Sequence, residues 1–149
     1  MSAQTDLTTT RQVWMGLLAR AKSATLEQLF PEIPAHTVLR APFVGAVMVR
    51  GRMGGVGQPF NLGEVTVTRC SVSLGDGAVG HAYVQGRNKS HALRAAAIDA
   101  LLQTDRAGDM QAQVLAPLTT LEASHRAMRA AKAAATRVEF FTLVRGEDQ

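Results

Sequence analysis

The sequence holds a single cysteine, Cys70, in 149 residues, which excludes an internal disulfide and any cysteine-built zinc or iron–sulfur centre made by this chain alone. Such sparing cysteine use leads us to expect a reducing, cytoplasmic setting. Large aromatics are also scarce, with five Phe, one Trp and one Tyr, so the core has to be built from Ala, Val, Leu, Ile and Met packed closely. No apolar run approaches the ~20 residues that span a bilayer, and the polar start MSAQTDLTTTRQ has no signal-peptide pattern, so no membrane partner is expected. Charge of one sign is barely in excess: 16 Lys+Arg against 12 Asp+Glu give a formal +4, far below a nucleic-acid coat protein. With no zinc finger, no RNA-recognition signature and few stacking aromatics, nucleic acid is a disfavoured partner. What is present, 46% hydrophobic and 19% charged residues, suits one soluble domain over 1–149.

The order of patterns predicts an α+β fold, a single mixed domain with an antiparallel sheet and flanking helices. Thr9 or Thr10 is placed to cap a helix bearing Val13, Trp14, Leu17 and Leu18 at helical spacing, ending near Ala21. A short helix over Thr25–Leu29 stops before Pro31 and Pro34. His36–Arg40 and Val44–Arg50 read as a first hairpin turned at Pro42, followed by a glycine-rich shaped loop from Arg50 to Phe60. Glu64–Leu74 and Ala78–Gln85 read as a second hairpin around Gly75-Asp76-Gly77. After Ser90 a helix starts at His91 and ends near Arg106 or Gly108, with Leu93, Ala97, Ile98, Leu101 and Leu102 on one face. Thr119-x-x-Glu122 has the form of a capping box opening another helix, with Arg126, Arg129 and Lys132 on one side. Residues 137–145 alternate as a terminal strand that is apolar on both faces.

Two Gly/Arg loops carry the most distinctive chemistry, Gly51–Gly57 with Arg50 and Arg52, and Gly86–Lys89 with Arg87. Glycine-freed amides and guanidinium forks hold phosphate or carboxylate oxygens well, so Arg50, Arg52, Arg87, Asn88, Lys89 and Ser90 are candidates for an anion or interface site. The alternative is that the glycines make turns and the arginines meet solvent or a protein partner. Neither loop has P-loop or dinucleotide-loop spacing. Asn88 or Ser90 can cap the following helix, and His91 at its start is a weak candidate for proton transfer, against a capping or packing role. His36, His81 and His125 lack metal-ligand spacing, so no metal site is expected. There is no Ser/His/Asp triad and no carboxylate pair in Glu64 and Asp76. Cys70 fits a small buried role, and Asp99 inside an apolar helix either orients an arginine or is an exposed acid.

Taken together, TRQVWM at 10–15, RMGGVGQPFNLGEVTVTRC at 52–70, YVQGRNKSHALRAAAIDALLQ at 83–103 and TRVEFFTLVRG at 136–146 resemble the G subunit of the bacterial carbon–phosphorus lyase core complex. The resemblance implies phosphonate use in a cytoplasmic core shared with the H, I and J subunits, joined by ATP-binding-cassette-like accessory subunits. It implies that the G subunit supports the I subunit in displacing adenine from ATP by a phosphonate, giving ribose 1-phosphonate 5-triphosphate. ATP and phosphonate are then substrates of the complex, and this chain needs no cofactor of its own. The iron–sulfur cluster and S-adenosylmethionine chemistry belong to the J subunit. A site-completing subunit without independent catalytic activity is the implied role, and a purely structural assembly subunit is the alternative. Two positions depart from the family pattern, GRDK followed by HAE: here Asn88 replaces the acid in the turn, and Leu93 replaces the glutamate. Asn88 still caps, whereas Leu93 supplies no carboxylate for a helix-start amide, a basic partner or a proton relay.

Overall fold

The computed structural model describes residues 2–137, with side chains from Thr9 onward. Two helices come first, α1 over Ser2–Arg20 and α2 over Ser23–Leu29, followed by strands β1 (His36–Arg52), β2 (Pro59–Leu74) and β3 (Val79–Gln85). Helices α3 (Lys89–Leu101), α4 (Ala107–Met110) and α5 (Ala116–Ala134) complete the described chain. The result is a mixed domain with an antiparallel sheet in the order β1-β2-β3 and flanking helices.

The core forms where α3 lies on one sheet face. Cys70, Val72 and Leu74 of β2 and Ala82 and Val84 of β3 meet Ala92, Ala96 and Ile98 of α3, all buried. Small side chains let the backbones approach closely. A Cβ added at Gly80 would collide with the Ala96 carbonyl oxygen and stand 2.6 Å from the Ala100 nitrogen, so only glycine fits beneath α3. Trp14, Leu17 and Leu18 of α1 and Leu26 of α2 close the core from the side.

An ion pair with a buried acid and a half-buried arginine joins these layers. Asp99, fully buried, accepts from Arg11 Nη2 at 2.7 Å, Trp14 Nε1 at 2.8 Å and the His81 backbone N–H at 2.8 Å. Arg11 Nη2 and Gln103 Nε2 both donate to the Val79 carbonyl. Side chains of α1, of α3 and of Gln103 just beyond it thus satisfy outward backbone groups of β3, an edge strand among the described residues. Of the two readings of Asp99, orienting an arginine is the one the structure realises.

Several expectations need correction. α1 begins at Ser2, so Thr9 and Thr10 lie inside it, because a helix anchored by packed turns extends more easily than it nucleates. Pro42 makes no turn: β1 is one 17-residue strand pairing with β2, and the ladder skips Ala41 and Pro42 at an irregularity between Arg40 and Phe43. An edge strand tolerates a residue without an N–H there. The shaped loop shrinks to residues 53–58, including a 3-10 turn at Met53–Gly55, while Arg50–Arg52 and Pro59–Phe60 remain paired. α3 ends at Leu101, earlier than its pattern suggested.

Thr119 caps nothing: its hydroxyl donates to the Leu115 carbonyl inside α5, and the α5 start holds Pro117 instead. A π turn at Gln111–Leu115, with the Ala116 N–H reaching back to the Gln111 carbonyl, leads into that proline. The terminal strand expected over 137–145 lies outside the described residues from 138 onward.

Candidate functional site

The second Gly/Arg loop is built by the end of β3. Gly86 turns the chain at φ 94, its N–H donating to the Thr66 carbonyl at 2.8 Å and its carbonyl accepting from the buried Thr68 hydroxyl at 2.7 Å. Asn88 then caps α3, accepting the His91 N–H on Oδ1 at 2.9 Å. Its Nδ2 donates to Ser23 Oγ at 2.9 Å, tying the loop to the start of α2. Leu93, at the second departure from the family pattern, packs against the core.

His91 is 5% exposed, and its Nε2 sits 2.8 Å from the Leu18 carbonyl oxygen. A carbonyl only accepts, so Nε2 carries the hydrogen and the ring is a tether between α3 and α1. A groove of about 430 Å³ opens beside this tether, bounded by Arg20, Ser23, Gln85, Arg87, Asn88 and His91. The structure therefore brings Arg87, Asn88 and His91 together and adds Arg20 and Ser23 from the helices.

Arg20 also borders a second groove of about 350 Å³, whose wall includes Lys22, Glu122, His125 and Arg129. Arg20 Nε and Nη2 grip Glu122 at 2.7 and 3.2 Å. These hydrogen bonds, helped by the charges of Arg20, Arg126 and Arg129, hold the Glu122 carboxyl below its ordinary value against a desolvation penalty. One acid among so many cations leaves the region round Arg20 positive.

The remaining candidates lie elsewhere. In the β2 register Arg52 faces Pro59 and Gln85 faces Val67, a separation of about 26 Å along the strand. Arg50 and Arg52 thus stand at the tip of the β1–β2 arm, where Arg52 Nη1 donates to the Gly57 carbonyl at 3.2 Å. Arg50 and Arg52 therefore do not join Arg87, Lys89 and His91 at one site within this chain. Lys89 opens α3 and is exposed, and the Ser90 hydroxyl receives Arg94 Nη1. Cys70 is buried, and burial pushes its thiol up.

Sequence reasoning missed Arg20 and Ser23, which join the groove only because α1 and α2 pack against α3. No local pattern marks them, although Asn88 as a cap pointed to the right place. Among the described residues no helix is long and apolar enough to cross a membrane.

Comparison with known proteins agrees with the segments singled out above. Residues 9–146 match the family described as phosphonate metabolism protein PhnG. The chain is 44% identical over 142 residues to the alpha-D-ribose 1-methylphosphonate 5-triphosphate synthase subunit PhnG of Rhizobium meliloti (strain 1021), covering 93% of this chain and 90% of that protein. The chain belongs to the PhnG family, the G subunit of carbon–phosphorus lyase.

Proposed function

We propose that this chain completes an anion-positioning site for the displacement of adenine from ATP by a phosphonate, working beside the I subunit in a core that also holds H and J. The observation that carries the reading is the groove at the start of α3. Arg20, Ser23 and Arg87 border it; the exposed Arg87 carries a fork that suits the oxygens of a triphosphate or phosphonate, while Arg20, whose Nε and Nη2 hold Glu122, adds positive charge beside it. His91 acts as a positioning residue there, because its Nε2 is committed to Leu18. The G subunit thus supplies positive charge, and the bond-making groups come from its partner.

An assembly role is favoured independently by the β1–β2 arm. Met48, Met53, Val56 and Leu62 are all exposed on it, 54%, 71%, 92% and 66% respectively, far from the groove. The two roles sit on different parts of the molecule and are separable by mutation. Arg87→Ala is expected to co-purify with the H, I and J subunits while adenine release from ATP in the presence of methylphosphonate, with accessory proteins added, falls at least tenfold. Normal release by an assembled Arg87→Ala complex overturns the anion-positioning role.

A further inference from the structure

The sheet face turned away from α3 is bordered at its β3 edge by α1, where Gln12, Met15 and Ala19 share a cleft with His81 and Tyr83. Antiparallel register places Phe43, Arg69 and Tyr83 side by side across the three strands on this face. Phe43 is 60% and Tyr83 45% exposed. Arg69 lies between them, its Cζ 6.0 Å from the Tyr83 ring centroid. A Cβ at Gly45 would meet Arg69 Nη2 at 3.3 Å and Phe43 Cε1 at 3.4 Å, so the guanidinium and the phenyl ring share the space above that glycine.

Arg69 is incompletely satisfied in this position. Its Nε is buried and has no hydrogen-bond partner, unusual for a donor withdrawn from water. Turned outward, Nε with Nη2 forms the side-on fork that takes a carboxylate through two hydrogen bonds, an exchange that relieves the unpartnered donor. No acidic residue is placed on this face by the register, whereas Arg40, opposite Ser71, adds a second cation. An arginine flanked by aromatic rings, with the valine pair Val47 and Val65 nearby, has the composition of an interface anchor.

We propose that this open face docks a partner subunit of the core through an acidic side chain received by Arg69 between Phe43 and Tyr83. The inference rests on the multisubunit role proposed above and names the surface and chemistry of one contact. A second copy of this chain is a poor occupant, because a two-fold pairing sets the same cations against each other with no carboxylate between. The phosphate backbone of a nucleic acid is a poor one too, since two arginines beside valines give little charge and much hydrocarbon.

Two measurements on the co-expressed G, H, I and J subunits test it. Arg69→Glu is expected to lower the amount of this chain recovered with the complex at least tenfold, with Arg69→Gln intermediate. In a Tyr83→Cys background, alkylation of the new thiol is expected to slow at least tenfold on assembly. That readout survives any folding defect of the Arg69 variants, and the buried Cys70 leaves it clean. If the wild-type chain joins the complex and either Arg69→Glu is recovered normally or the thiol reacts at its free rate, this proposal falls and the functional reading stands. If the wild-type chain joins none of the subunits, both fall. Slow alkylation already in the isolated chain means that the chain or a second copy covers the face, and protection by a mixed-sequence oligonucleotide means a nucleic-acid surface; either overturns the proposal.

Discussion

Strand β2 leads two lives. From Val67 to Leu74 its residues are buried or half-buried against α3 and β3, while from Pro59 to Glu64 every residue is exposed and, among the described residues, pairs with β1 alone. An isolated two-stranded hairpin is marginal in water, so the arm draws little stability from itself. α5 repeats the contrast, for Leu118 is its only buried residue and Met128, further on, is 60% exposed. Stability is concentrated in one block of sheet and helices, and apolar surface for partners is carried on elements that extend from it.

Substitutions in the block should therefore be costly and substitutions in the arm nearly silent. Gly80→Ala is expected to have the largest effect: the clash is with backbone of α3, so the helix must lift, and a loss of about 3 kcal/mol or failure to fold is predicted in urea unfolding. Asp99→Ala comes next, at about 3 kcal/mol by the same assay. It strands the Trp14 indole N–H and the His81 amide, although Arg11, 31% exposed, can turn to water.

Glu122→Gln should cost less than about 1 kcal/mol at neutral pH, as expected of a largely exposed pair. Because the folded carboxyl titrates below its unfolded value, the pair's stabilisation is present above the unfolded carboxylate range and is lost as pH falls through the lower folded value. The wild-type and Glu122→Gln melting temperatures should accordingly converge on acidification; a gap that widens would contradict the pairing. Smallest of all, Val56→Asp, at a position 92% exposed on the arm, should leave thermal stability within about 0.5 kcal/mol of wild type.

The same contrast explains what could be read from the sequence. The β2–β3 hairpin was legible because its turn is local: Asp76 Oδ1 accepts the Ala78 N–H, and Gly77 takes φ 86. The Asn88 cap was legible for the same reason, since it accepts the His91 N–H three residues on, and the burial of Cys70 followed from its apolar character. Pro42 misled because edge and interior strands look alike in sequence, and only the edge position tolerates it. Thr119-x-x-Glu122 misled because Glu122 answers to Arg20, 102 residues away. The groove was half legible: Arg87, Asn88 and His91 lie close together in the sequence, whereas Arg20 and Ser23 arrive through tertiary packing. The two Gly/Arg loops looked equivalent, yet the length of the arm separates them.

Backbone hydrogen exchange along β2 tests the central claim most directly. In the isolated chain, amides of 67–74 should be protected orders of magnitude more strongly than those of 59–66, and assembly with the other subunits should slow the second set while changing the first little. Equal protection of both halves in the isolated chain would contradict the account, since the arm would then be a stable part of the fold rather than surface held for a partner.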